Sequence, residues 1–191
     1  MQDISTISDG RDRHFVYLGR NGDDDTEFVQ FATTRWSQLV RTAYMLTGDF
    51  HEAEDLVQTT LIKVYTQWRR LRRDETDAYV RRALINNNRS RHRKHRVVHL
   101  LMPFLPDATE PDEASGSEKR DVLLRALAEL PPRQRTVVVL RYWEDLSIEE
   151  VAYALGCSEG TVKSQASRAL AKLRTHPALA IQSLTSLGDA P

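Results

Sequence analysis

Between Leu146 and Arg174 the chain reads LSIEEVAYALGCSEGTVKSQASRALAKLR, and three local signals inside it leave the backbone little freedom. Ser147 followed by Glu150 is a capping box, Gly156 is suited to the left-handed conformation at a helix end, and Ser158 caps a second helix. Two helices joined by a tight turn follow. Ile148, Val151, Ala152 and Leu155 supply the inner stripe of the first. Val162, Ala166, Ala169, Leu170 and Leu173 supply that of the second, leaving Lys163, Ser164, Ser167 and Arg168 on one outward face, with Thr161 in the first turn. Lys and Arg donate to guanine edges, and short serines let a helix approach the floor of a DNA groove. An αα-corner in an unrelated bundle would share the inner stripe but not this basic, small-residue face. Cys157 is expected to fill a small buried place in the turn, packing in the core without redox chemistry.

The remaining composition narrows the class. A chain of 191 residues that is 40% hydrophobic can bury one core or two small ones. One cysteine excludes an intrachain disulfide and a cysteine-rich zinc site. No apolar run reaches the roughly 20 residues of a membrane span, and no basic-then-apolar leader opens the chain, so a soluble cytoplasmic protein without membrane insertion is expected. The formal net charge of +0 conceals segregation. Acids collect before residue 30, around residues 49 to 55 and between residues 107 and 118, whereas Arg and Lys collect between residues 69 and 96.

Residues 1–25 are polar, glycine-containing and end in Asp23, Asp24 and Asp25, which predicts a mobile arm with a short island at His14 to Leu18. From Thr26 a helical period begins with Phe28, Phe31, Ala32, Trp36, Leu39, Val40, Ala43 and Leu46, and Gly48 ends it. The next helix, DFHEAEDLVQTTLIKVYTQW, buries Ala53, Leu56, Val57, Leu61 and Val64. Asp55, Gln58, Thr59 and Ile62 share another face. Its acidic first turn suits the positive end of a helix dipole, so the bland reading is a solvated surface. Ile62 among polar neighbours is the reason to suspect a partner.

A loop at residues 73 to 77 leads into a helix with apolar Tyr79, Val80, Ala83 and Leu84 and a remaining surface of Arg and Asn. From Lys63 to Arg96, twelve cations face three acids, Asp74, Glu75 and Asp77. Self-repulsion at that density asks for a polyanionic partner. Asn86, Asn87 and Asn88 are poor helix formers but suit hydrogen bonds to bases or phosphates. His92, His95 and His99 would share a helix face, yet the cations among them oppose a metal site, and neither metal nor cofactor is expected.

Residues 97–117 carry Pro103, Pro106, Pro111 and Gly116, then acids without cations, and form an acidic linker. Leu100 to Leu105 is apolar enough to pack on something. A second module starts near Ser117: Leu123, Leu127 and Leu130 make a helix stopped at Pro131, and Pro132 can open the next, RQRTVVVLRYW. That segment is β-branched, so a strand is the alternative. The bounding prolines favour a buried helix. The fold class is all-α: two small helical domains, residues 26–96 and 118–174, joined by a flexible linker and followed by a tail at 175–191.

HEAEDLVQTTLIKVY, AYVRRALINNNRSRHR and LPPRQRTVVVLRYWEDLSIEEVAYALGCSEGTVKSQASRALAKLR, in this order, resemble a bacterial RNA polymerase sigma factor of the extracytoplasmic-function group, which keeps only sigma regions 2 and 4. The resemblance covers about residues 26 to 174. It implies a dissociable promoter-specificity subunit that binds core polymerase and directs promoter recognition, DNA melting and initiation, with no catalysis of its own. The face of Asp55, Gln58, Thr59 and Ile62 then becomes the surface for the β′ clamp helices. The loop and the following helix become the part that opens the minus-10 element, with Tyr79, Arg82, Asn86, Asn87 and Arg89 as its site residues. Tyr79 stands where many members have Trp, and Asn86 falls on a frequent pocket Asn. Asn87 and Asn88 depart from the usual aliphatic or small residues, so an unusual minus-10 preference is expected. Lys163, Ser164, Ser167, Arg168 and Thr161 match the minus-35 reader, and the acidic linker matches the segment threading near the polymerase active site.

The implied partners are core polymerase, through its β′ clamp helices and β flap, and promoter DNA, with an anti-sigma factor as a further candidate. The alternative is a stand-alone helix-turn-helix regulator whose N-terminal half dimerises or senses a signal. An enzyme acting on nucleic acid lacks support, since the sequence offers no paired carboxylates, metal cluster or nucleophile elbow.

Overall fold

A computed structural model describes residues 22–101, 118–177 and 179. The arm before Gly22, the linker prolines and acids at 102–117, and the tail beyond residue 179 lie outside the described residues, as do the side chains of His95 and His99. Seven α-helices carry the fold among the described residues: α1 Gly22–Thr47, α2 Phe50–Gln67, α3 Thr76–Leu101, α4 Glu118–Ala128, α5 Pro132–Val138, α6 Ile148–Leu155 and α7 Glu159–Arg174. The β-branched segment after Pro132 is helical, and its last part, Val139–Trp143, widens into a π-turn.

Helices α1, α2 and α3 pack around one core. Gly48 closes α1 at φ 82°, where an L side chain is strained, and the Asp49 carboxylate caps α2 by accepting from the Glu52 N–H at 2.7 Å. Leu56, Val57 and Val64 are fully buried between the helices. Each such side chain contributes about 1.5–3 kcal/mol. Phe28 meets Trp68 edge-on with ring centroids 5.2 Å apart, and Phe31 lies 5.1 Å from the same indole.

Helix α1 begins at Gly22, four residues before the Thr26 expected from hydrophobic period. The apolar pattern does start there, but the acids before it form a favourable first turn, and two of them have cationic or phenolic partners. Asp24 pairs with Arg69 at 3.1 Å, and Asp25 accepts from the Tyr65 hydroxyl at 2.7 Å. Helix α3 likewise continues to Leu101, past the expected end at Arg96, because no breaker intervenes before Pro103.

The second group, α4 to α7, builds its core from Val137, Leu140, Leu146, Val151 and Val162 on one side and Leu124, Leu127, Leu130 and Val139 on the other. The two groups touch. Met45 and Leu46 of α1 are buried with the α4 leucines, and Ile85 of α3 is buried among Val137, Leu140 and Val151. Thr42 donates to the Glu144 carboxylate, and Arg135 Nη1 donates to the Leu46 carbonyl at 2.9 Å.

Candidate nucleic-acid interface

The turn between α6 and α7 forms by the expected chemistry. The Ser147 hydroxyl accepts from the Glu150 N–H at 3.1 Å, and the Glu150 carboxylate accepts from the Ser147 N–H at 2.7 Å. Hydrogen bonding from the Ser147 backbone N–H, and secondly from its hydroxyl, holds the Glu150 carboxyl below its ordinary pKa. Gly156 ends α6 at φ 62°, and Ser158 caps α7 by accepting from the Thr161 N–H at 3.2 Å. Val162 and Ala169 are buried beneath α7, so Lys163, Ser164, Ser167 and Arg168 all stand exposed on its outer surface. Lys163 lies 3.4 Å from Glu159, and Thr161 is half-buried with its hydroxyl 3.0 Å from that of Ser158. Cys157 is not fully buried as expected. It is half-exposed, because the turn residue borders an open groove.

On α3 the anticipated residues divide. Arg82, Asn86 and Arg89 are exposed, and the Arg82 guanidinium sits over the Tyr153 ring of α6 at 5.3 Å. Tyr79 is half-buried against the first core. Asn87 does not join them: it is 6% exposed and packs inward, donating to the Thr60 hydroxyl at 3.0 Å and accepting from the Lys63 ammonium. Asn88 is equally buried and lies toward α5 and α6. The two departures from the family pattern therefore sit within the packing, because α3 is covered on two sides. Sequence reasoning missed this along with Ile85, whose signal was a β-branched apolar residue directly after Leu84.

Part of the cationic excess is answered inside the chain. Glu27 pairs with Arg73 and Asp24 with Arg69, while Asp77, one of the three acids of the stretch itself, is taken by Arg35 of α1 at 2.6 Å. The acids that the local count omitted come from α1. Arg89 and Arg93, with Asn86, instead line a groove of about 880 Å³ opposite Arg133, Thr161 and Gln165. The residues at the two ends of the anticipated promoter grip thus border a common space.

On α2, Asp55, Thr59 and Ile62 are exposed and Gln58 is half-buried. Ile62 is 67% exposed, the one large aliphatic side chain so exposed among the described residues. Asp55 lies 3.2 Å from Arg91 of α3. Among the described residues no group of His, Cys, Asp and Glu is arranged to hold a metal, and no helix is long and apolar enough to cross a membrane.

Comparison with known proteins places these surfaces in context. Residues 34–98 match the model of Sigma-70 region 2, and residues 120–173 match Sigma-70, region 4. The chain is 42% identical over 153 residues to the RNA polymerase sigma-E factor of Streptomyces avermitilis, covering 78% of this chain and 83% of that one. It is 32% identical over 142 residues to the ECF RNA polymerase sigma factor SigL of Mycobacterium tuberculosis, covering 71% and 80%. Among solved structures, the sigma factor RpoE of Bartonella quintana, in complex with the anti-sigma factor NepR, superposes with a TM-score of 0.65 at 29% identity, covering 78% of this chain and 95% of that one. The chain belongs to the sigma-70 family of RNA polymerase sigma factors, in its extracytoplasmic-function group.

Proposed function

We propose that this sigma factor grips a promoter at two points while bound to core polymerase. Region 4, α4 to α7, reads the minus-35 element in the major groove with Lys163, Ser164, Ser167 and Arg168, Thr161 standing at the entry of the helix. Region 2, α1 to α3, opens the minus-10 element with Arg82, Asn86 and Arg89, supported by Tyr79. Asp55, Gln58, Thr59 and Ile62 form the docking face for the β′ clamp helices, and the β flap contacts region 4. The observation that carries this reading is the outer face of α7, where two cations and two short hydroxyls stand exposed above a fully buried Val162.

The subunit works in the cytoplasm and contributes positioning and electrostatics, with no catalytic step of its own. An anti-sigma protein is a further partner, as in the complex of the Bartonella quintana relative. The deciding experiment is transcription in vitro from a random-sequence DNA pool with core polymerase, with and without this chain. Discrete start sites appearing only when both are present support the reading. Tight, sequence-specific duplex binding by the chain alone, with no effect on start sites, would make it a stand-alone regulator.

A further inference from the structure

Helix α3 carries three consecutive asparagines, and the structure uses them differently. Asn86 is exposed, whereas Asn87 is buried in a short polar chain between α2 and α3. The Thr60 hydroxyl donates to the Leu56 carbonyl at 2.7 Å and accepts from Asn87 Nδ2 at 3.0 Å, while Asn87 Oδ1 accepts from Lys63 Nζ. Thr60 is completely buried. One turn further along α3, Arg91 donates to the Glu52 carbonyl at 3.1 Å and to Asp55 at 3.2 Å. These contacts run backward along α2 as they advance along α3, so the helices are antiparallel and tied at two heights.

Apolar contacts alone fix such a pair poorly. Leu84 against Val57 and Leu56 is tolerant of rotation, because dispersion and burial are non-directional. A hydrogen bond is lost within a few tenths of an ångström of stretch, and a buried amide left unpaired is penalised. Buried polar residues are therefore used to fix register between helices. Register matters here because neighbouring helix positions differ by about 100° in direction. A turn of that size would carry Asn86 into the place of Asn87 and aim the exposed cations elsewhere. Three asparagines in a row make the slip chemically easy, since each can offer the same amide to Thr60. Lys63 and Arg91, at separate heights, remove that degeneracy.

We propose that Asn87 is a positioning residue. Its bonds to Lys63 and Thr60 set the rotation of α3 on the polymerase-docking helix and so aim Arg82, Asn86 and Arg89 at the strand being opened. The proposal rests on the reading of α3 as the minus-10 helix. It assigns Asn87 no contact with DNA, and it makes Lys63 part of the opening machinery from the α2 side.

The test uses full-length protein bound to core polymerase and a promoter selected by the wild-type holoenzyme from random DNA. Opening is followed by permanganate reactivity of unpaired thymines, alongside affinity for core polymerase and the urea unfolding midpoint. Asn87→Leu, similar in volume, and Lys63→Met are each expected to slow opening roughly tenfold, because Arg82, Asn86 and Arg89 are then misaimed at the strand being opened. The double variant should be no slower than either single one. Polymerase affinity and the unfolding midpoint of N87L should stay near wild type, and Asn87→Asp, which keeps an acceptor for Lys63, should recover most of the rate. Wild-type opening by N87L overturns the proposal. So does a changed preference at one base only, which would make Asn87 a base contact, and so does a parallel fall of opening, polymerase affinity and unfolding midpoint. Asn86→Ala separates the levels: if it opens normally, the reading of α3 fails and takes the proposal with it, whereas slow opening by N86A beside normal opening by N87L removes the proposal alone.

Discussion

Helices α3 and α7 are the two that the proposed function turns toward DNA, and they are built in opposite ways. Helix α7 has one buried line, anchored by Val162 and Ala169, and its outer surface is left to solvent. Helix α3 is covered on two sides, by α2 through Val80 and Leu84 and by region 4 through Ile85, so little of its circumference remains for reading. A helix at the edge of a small module can be specified by local periodicity. A helix between two modules has its exposed face defined by neighbours distant in sequence.

The largest effect expected from this contrast is at Ile85. Ile85→Ala should lower stability by about 2–5 kcal/mol in urea unfolding, with protection reduced at amides of α5 and α6 as well as α3. An effect confined to α1, α2 and α3 would show that region 4 does not bury it. On α7 the outward residues should behave in the reverse manner. Lys163→Ala or Arg168→Ala should leave the unfolding midpoint unchanged and weaken minus-35 duplex binding by about 1–3 kcal/mol for each bidentate pair of hydrogen bonds to a base that is removed. An equal weakening on unrelated duplexes would mean that these side chains bind phosphate.

Ser147→Ala comes next, at about 1 kcal/mol of stability for a missing helix cap. The cap's pH dependence has a definite sign. The Glu150 pKa is depressed in the folded state, so its contribution is present above the ordinary carboxylate pKa of about 4.3 and fades as pH falls through the lower folded value. The stability gap between wild type and Glu150→Gln should therefore narrow at acid pH; a constant gap would remove the Glu150 carboxylate from the cap. The smallest effect is expected from Asp24→Asn, which removes the ion pair with Arg69. Stability should change by less than about 1 kcal/mol, as for other exposed pairs. Non-specific DNA binding should gain about one unit of salt dependence if Arg69 then reaches phosphate.

The same contrast explains what was legible in the sequence. The caps of α6 and α7 span three or four residues, so Ser147, Glu150, Gly156 and Ser158 could be placed from local order alone. On α2, Ile62 reads as an aliphatic residue out of place among polar ones, and the fold leaves it exposed. The charge excess around α3 looks larger in the sequence than it is in the fold, because Asp24 and Glu27 reach Arg69 and Arg73 from another helix. Polarity usually means exposure, so Asn87 and Asn88 read as surface residues. Only the positions of Thr60 and Lys63 show that a buried amide at Asn87 is satisfied. The widened turn at Val139–Trp143 has no comparable local signature.

Arg135 has a consequence for the seam between the regions. Its guanidinium donates to the Leu46 carbonyl of region 2 and, at 2.6 Å, to the Ala128 carbonyl of region 4, and burial pulls its pKa down. Its Nε, like the nearby Gln134 Oε1, is buried without a hydrogen-bond partner among the described residues. Parting the regions rehydrates a cation at the same moment that it exposes Met45, Leu46 and Ile85, and the first change offsets part of the second. The balance between packed and parted regions is then linked to solutes: an anion that binds the freed guanidinium, and not the buried one, draws the chain open by mass action.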